Sequence, residues 1–250
     1  MDTSRHSGRV ALVTGAASGI GRATALRLAA EGALVLATDG NRDGLASLVA
    51  ESATIHTVTG DLCDASFVDH LVDAAEAVGP VQILANVAGI MDHFVPVGEI
   101  DDELWDRVLG VNLTAPMRLC RRLVPLMAAR GGGRIVNVAS VAGLGGSGAG
   151  VGYIASKHGL IGLTKHIAYT YGPQQIRCNA VCPGGVATNI GTTAAPTVPW
   201  AFERQLLSIA LGERTAEPDE IAAVISWLAS DEASNVNGIV MPADGGWKAA

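Results

Sequence analysis

Short apolar runs alternate with stretches of helical spacing along the whole chain. Val10–Val13 and Leu34–Ala37 are aliphatic and stop at turn-forming or polar residues, and Thr54–Thr59 is more polar but β-branched. Ile83–Ala85, Ile135–Val138 and Asn179–Cys182 continue the series of strands, and Gly238–Met241 closes it. Between them the spacing predicts helices over about 19–31, 41–52, 64–78, 101–129, 151–171 and 218–229. Ala23, Leu26, Leu28 and Ala29 fall on one face of the first. Asp101, Asp102 and Glu103 open the fourth, where negative charge suits a helix N-terminus. Strands this apolar are buried on both faces, so the alternation implies an α/β fold, a doubly wound parallel sheet covered by helices on each side. No repeat, charge block or linker divides residues 1–250, which form one domain in this reading.

Composition narrows the picture. The chain is 49% hydrophobic and 16% charged, enough for a substantial core and unlike a disordered segment. Seventeen basic against twenty-four acidic residues leave a net charge of −7, which offers no field to neutralise a nucleic acid. The polar stretch Met1–Val10 has no apolar h-region of a secretory signal. Two uncharged stretches, Ile135–Ser156 and Cys178–Phe202, are broken by glycines and prolines respectively, so neither reads as a membrane span. Cys63, Cys120, Cys178 and Cys182 form no C-x-x-C pair, and the histidines form no H-E-x-x-H. The expectation is a soluble, cytoplasmic protein without metal or disulfides. Thirty-one glycines among 250 residues exceed the ~7% of average usage, so many turns are tight or the backbone approaches something closely.

The first strand runs straight into Thr14-Gly15-Ala16-Ala17-Ser18-Gly19-Ile20-Gly21, and a helix follows. Glycines at a strand-to-helix turn let the backbone approach a pyrophosphate, which then rests on the helix N-terminal amides. The spacing is G-x-x-x-G-x-G rather than G-x-G-x-x-G, and a plain tight turn is the alternative. Asp39 ends the second strand, eighteen residues beyond Gly21, where a carboxylate can accept from adenosine ribose hydroxyls. It would also repel a 2′-phosphate, by at most ~4 kcal/mol at ~4 Å and an effective dielectric near ~20. This favours NAD over NADP, although Arg42 lies close enough in sequence to offset part of the repulsion. Asp61-Leu62 follows the third strand, where an acid could reach the adenine amino group or simply cap a helix.

Tyr153-Ile154-Ala155-Ser156-Lys157 places a phenol and an ammonium at i, i+4, on one helix face. Alone this could be an ordinary surface pair. Ser140 lies thirteen residues earlier, just past a strand end, and strand carboxyl ends are where open α/β sheets bind ligands. Asn112 sits inside a predicted helix, where its local propensity is poor; a solvent-facing asparagine is the competing explanation.

Thr14-Gly15-x-x-x-Gly19-x-Gly21, Asn86-Val87-Ala88-Gly89, Asn112, Ser140, Tyr153-x-x-x-Lys157, Pro183-Gly184 and Thr188 together resemble the motif series of the short-chain dehydrogenase/reductase family, from residue 14 to about 246. Val87 departs from the second asparagine most members carry, which puts local strand stability in question and leaves the chemistry intact. The resemblance implies a Rossmann-like sheet of about seven strands and a homotetramer. It implies Tyr153 as general acid/base, Ser140 as donor to the substrate oxygen, and Lys157 as holder of the nicotinamide ribose. Asn112 would support a relay water. Gly15, Ser18, Gly19, Ile20, Gly21, Asp39, Asp61, Leu62, Asn86, Ala88, Gly89, Pro183, Gly184, Val186 and Thr188 would contact the cofactor. Lys157 and the nicotinamide cation are expected to lower the Tyr153 pKa from ~10 by about three units.

Substrate contacts are expected from Ser140, Tyr153, Leu144, Gly184 and Trp200. The glycine-rich run Gly143–Gly152 would leave room beside the crevice or serve special backbone angles, and residues 189–211 would form an apolar cap. Met91, His93 and Val95 are candidates for the opposite wall. The expected reaction is NAD-dependent hydride transfer with an uncharged, moderately hydrophobic secondary alcohol or ketone. A 3-oxoacyl-carrier-type reductase, kept open by Arg121, Arg122 and Arg130, and a non-catalytic NAD(H) sensor are the alternatives.

Overall fold

The strands bury residues of both parities. Along β1 (Val10–Thr14), Val10 and Leu12 join one core cluster while Ala11 and Val13 join another. Only a sheet covered on both faces accommodates that pattern. The computed structural model describes residues 4–191 and 195–249. It shows a single Rossmann-like α/β domain. Six more strands accompany β1: β2 (Leu34–Asp39), β3 (Ile55–Thr59), β4 (Val81–Asn86), β5 (Gly133–Val138), β6 (Ile176–Pro183) and β7 (Val240–Ala243). All neighbours pair in parallel, in the order β3-β2-β1-β4-β5-β6-β7.

The helices are α1 (Gly19–Ala30), α2 (Arg42–Val49), α3 (Ala65–Val78), α4 (Asp102–Leu109), α5 (Ala115–Ala129), α6 (Val151–Tyr171), α7 (Pro199–Ile209) and α8 (Pro218–Ala229). Leu28 of α1, Leu45 of α2 and Ile221 and Ile225 of α8 cover one face of the sheet. Leu71 of α3, Leu119 and Leu123 of α5, and Ile167 of α6 cover the other. The chain leaves β1 in opposite directions at β2 and β4, and the crevice between those departures lies at the strand carboxyl ends. Ligands bind there in sheets of this kind.

Three expectations change. The helix predicted over 101–129 is two helices, α4 and α5, joined by a π-helical turn at Gly110–Thr114. Pro116 has no N–H to donate to the preceding turn, so the ladder widens just before it. The last strand lies two residues later than expected, and it tolerates Pro242 because it is an edge strand. Helix α7 was not expected as an element: Pro196 and Pro199 read as breaks, yet Pro199 occupies the first helical turn, where its missing N–H costs nothing. Val87, the residue after β4, packs against the α1–α8 side of the core.

At the opposite end of the sheet from the crevice, a polar cluster ties the N-terminal segment down. Glu31 is fully buried, ion-paired with Arg27 (Nε to Oε1 3.0 Å), and accepts from the Ser226 hydroxyl. His6, also fully buried, lies 3.1 Å through Nε2 from Ser226 Oγ. Because Ser226 spends its proton on Glu31, His6 donates from Nε2 to the hydroxyl oxygen. Burial pushes the His6 pKa from 6.5 down to about 4, against the pull of Glu31 and helped by Arg9 and Arg5. The unfolded chain therefore binds the extra proton first, and stability falls as pH is lowered from about 6.5 towards 4. His6 contributes up to about 3 kcal/mol to that loss. Urea unfolding at pH 7 and pH 4.5 should show a smaller difference for His6→Gln than for the unsubstituted protein; equal differences would remove His6 as the cause.

Candidate active site

A groove of about 970 Å³ runs along the strand carboxyl ends. Its floor begins at the turn after β1. Gly15 has φ +69°, and a Cβ there would come within 2.7 Å of the Ala88 Cα; Gly19 has φ +50°, and a Cβ would meet Thr188 Cγ2 at 2.8 Å. Thr14 Oγ1 accepts from the amides of Val87 (3.0 Å) and Ala88 (3.1 Å), which draws the segment after β4 against this turn. Ser18 caps α1 without a side-chain hydrogen bond, and α1 has no acidic residue in its first turn. Open amides and hollows too small for a Cβ are what an anionic group needs at a helix N-terminus.

Asp39 stands on the rim of the groove, with Oδ2 accepting from Ala17 N (3.1 Å) and Oδ1 from Asn41 N (2.9 Å). Asp61 faces the groove as well, and Arg107 Nη1 from α4 reaches both of its oxygens, at 2.7 and 2.9 Å. Ser18, Ile20, Gly21, Leu62, Gly89, Pro183, Gly184 and Val186 complete the set of expected cofactor residues that line the groove. Asn86 does not line it. It is buried behind the wall, donating through Nδ2 to Asn137 Oδ1 (2.8 Å), while its own Oδ1 has no partner.

Ser140, Tyr153 and Lys157 converge at the other end. Lys157 is 2% exposed, donates to the Val138 carbonyl (2.8 Å), and holds its Nζ 5.4 Å from the Tyr153 ring centre. Burial lowers its pKa to about 8. The Tyr153 phenol is pushed up to about 12 by burial; a hydrogen bond with Ser140 opposes that, and the Asp92 carboxylate adds to it. The protein alone thus moves the phenol opposite to the expected direction, because the desolvation cost of phenolate outweighs the Ser140 hydrogen bond.

Asn112 lies in the π-helical turn and is fully buried. It accepts from Ile90 N (2.9 Å) and donates to Ile90 O (2.9 Å) and Ser156 Oγ (3.0 Å). Its side chain pins the segment after β4 to α6, which explains a polar residue in mid-helix. Leu144 (38% exposed) and Trp200 (63% exposed) stand outside the lining of the groove, and Trp200 Nε1 donates to Glu99 (3.3 Å) instead. Apolarity alone cannot tell an inward from an outward side chain on a short helix. The run Gly143–Gly152 is likewise outside the lining; it anchors α7 through Gly148 N to Gln205 Oε1 (2.8 Å) and Ser147 to Ser208 (2.9 Å). Met91 and His93 do line the groove, whereas Val95 is buried behind it. The cap expected at 189–211 includes residues 192–194, which lie outside the described residues.

A family model described as enoyl-(acyl carrier protein) reductase matches residues 15–248. The chain is 39% identical, over the full length of both proteins, to 3beta-hydroxysteroid dehydrogenase 2 of Eggerthella lenta. The chain belongs to the short-chain dehydrogenase/reductase family. It is an NAD(P)(H)-dependent oxidoreductase that acts on alcohol and ketone groups. Levodione reductase of Leifsonia aquatica is 38% identical over 99% of this chain and 97% of its own. The crystal structure of levodione reductase superposes with a TM-score of 0.88, covering 98% of this dehydrogenase/reductase and 100% of that chain at 37% identity. A Beutenbergia cavernae structure described as an NAD(P)-dependent gluconate 5-dehydrogenase, with NADP bound at low occupancy, gives the same TM-score at 35% identity and full coverage of both chains.

The glycine hollows, the open start of α1 and the groove's length fit a dinucleotide in this dehydrogenase/reductase. Neither Arg107 nor Asp92 stands out in the sequence, because each acts on a partner far along the chain. Replacing Asn112 by Ala should cost about 2–3 kcal/mol, since it leaves the Ile90 amide and carbonyl without their partner. Equilibrium unfolding measures this, and a cost below ~1 kcal/mol would contradict the pinning role.

Proposed function

We propose that this enzyme transfers hydride between NAD(H) and an uncharged, moderately hydrophobic secondary alcohol or ketone, with Tyr153 as general acid/base. The observation that carries the reading is the meeting of Ser140, Tyr153 and Lys157 in the same groove as the glycine turn and Asp39. When bound, the nicotinamide ring supplies the hydride in reduction and accepts it in oxidation. Ser140 donates a hydrogen bond to the substrate oxygen and stabilises charge as it develops. Tyr153 gives that oxygen its proton in reduction and takes it back in oxidation. Lys157, fixed on the Val138 carbonyl, is the cation that favours phenolate during proton exchange and the donor for the nicotinamide ribose hydroxyls. Val186 and Thr188 would hold the carboxamide, and Ala88 and Gly89, with Asn86 buried behind them, would line the cofactor.

Asn112 serves as a positioning residue, because its side-chain amide is committed to Ile90 and Ser156. Asp39 supports NAD over NADP: among the described residues it has no salt-bridge partner to neutralise it against a 2′-phosphate. Met91, His93 and Ile190 on the substrate side, with α7 and its flanking segment as cap, suit an apolar ketone. Relatives named for a steroid and for levodione are in keeping with that class. Arg122 is engaged by Asp69 and Asp73, and Arg130 by Glu76, which weakens the case for a basic surface that docks an acidic carrier protein. A turnover-free sensor has no need of a buried proton donor beside a cation. The four cysteines are free thiols, which suits the cytoplasm, and a homotetramer is what the family resemblance implies.

Tyr153→Phe should keep NADH affinity, read by fluorescence titration, and lower turnover by about 10²–10⁴-fold; substantial residual activity would remove Tyr153 from the acid/base role. Asp39→Ser should raise kcat/KM with NADPH relative to NADH by at least about tenfold, as expected for loss of one like-charge contact. An unchanged ratio in steady-state kinetics would contradict the ribose assignment.

A further inference from the structure

Helix α6 begins at Gly150, which has no side chain to cap it, and no acidic residue lies in its first turn. The cap comes from a residue fifty-eight positions earlier. Asp92 is fully buried, its Oδ1 accepting from Gly150 N (3.0 Å) and its Oδ2 from Tyr153 N (2.9 Å). The start of α6 is shaped to admit this carboxylate: a Cβ on Gly150 would lie 2.6 Å from either Asp92 oxygen, and one on Gly152 would lie 3.5 Å from Oδ2. Among the described residues Asp92 forms no salt bridge, so the amides and dipole of the helix end balance its charge.

The residues after Asp92 make the contact unusual. His93 and Phe94 both sit in the left-handed region, at φ 55° and 60°. Two successive bulky residues there are strained, and such a bend persists only where its surroundings hold it. Asp92 O accepts from Val95 N (3.1 Å), and Val95 O accepts from Val151 N (3.0 Å), so the bend is stitched to α6 on both sides. From its outer side the bend holds the cap: His93 O accepts from Thr197 N (3.3 Å), His93 Nδ1 lies 3.1 Å from Ala195 O, and Phe94 meets Phe202 edge to face at 4.9 Å.

We propose that Asp92 is a positioning residue for the acid/base tyrosine, its carboxylate locking the start of α6, the strained His93–Phe94 bend and the cap above it into one unit. This rests on the reading of Tyr153 as the acid/base. The groups facing the phenol are Lys157 on its own helix, Ser140 after β5, Cys182 on β6 and Asp92; of these Asp92 is the carboxylate, and its charge opposes ionisation of the phenol. Asp92 therefore acts twice, by holding the backbone of Tyr153 and by setting a charge against loss of the phenol's proton.

The experiment compares the full-length Asp92→Asn, Asp92→Ala and Tyr153→Phe enzymes. Asp92→Asn retains an acceptor but loses the charge and turns an N–H towards a backbone N–H. It should lower kcat by at least tenfold with the KM for NADH within threefold, and move the midpoint of the oxidative pH–rate profile to lower pH by half a unit or more. Asp92→Ala should lose more. A folded Asp92→Asn with unaltered kcat and an unmoved midpoint overturns the proposal, and so does a loss of kcat that follows lost stability with the midpoint unchanged. Should both Asp92 variants fail to fold, hydrogen exchange on the unsubstituted enzyme decides: the amides of Val95, Gly150 and Tyr153 should exchange within about tenfold of one another, and a hundredfold faster Val95 overturns the locked unit. An active Tyr153→Phe would instead sink the acid/base reading itself, so the two failures are distinguishable.

Discussion

The contact on which the site depends is the 2.8 Å hydrogen bond from the Lys157 ammonium to the carbonyl of Val138. It joins α6 to the end of β5, the two elements that carry Tyr153 and Ser140. A buried ammonium left without such a partner would be expelled or neutralised, so this one bond fixes where the helix may lie on the sheet. Around it the chain places a second layer of ties: Asn112 fastens the segment after β4 to α6, and Asp92 fastens the loop beyond it. Each of these uses a fully buried polar side chain whose bonds run mainly to backbone, so the geometry of the groove is set by main-chain positions more than by flexible side chains.

The electrostatics of the pair follow from burial. Removing water penalises both the phenolate and the ammonium, which raises one pKa to about 12 and lowers the other to about 8. In the resting protein the phenol keeps its proton, and the amine gives its own up more readily than a free lysine does. A charge-counting argument from the sequence misses this, because it includes the attraction between the groups and leaves out what each loses on leaving water.

Much of the fold could be read in advance because its signals are local. The apolar strands, the glycine turn after β1 and the i, i+4 spacing of Tyr153 and Lys157 depend only on neighbours within a turn or two, and Ser140 follows from its place just past a strand. What could not be read depends on partners distant in the chain. Asn112 looks misplaced until Ile90 and Ser156 stand beside it; Asp92 looks like a loop acid until α6 arrives without a cap of its own. Arg107 gains its meaning only from Asp61, forty-six residues earlier in the chain. Leu144 and Trp200 stand outside the groove's lining for a different reason: an apolar residue near a cleft in sequence says nothing about which way a short helix or turn is rotated.

The His6–Ser226–Glu31 cluster lies before β1, with the length of the sheet between it and the groove. Its proton uptake shares no group with the chemistry at the strand carboxyl ends. Acid therefore acts on this protein in two separate places, loosening the scaffold's far anchorage at His6 and holding the proton on the phenol, and only the second alters the reaction itself.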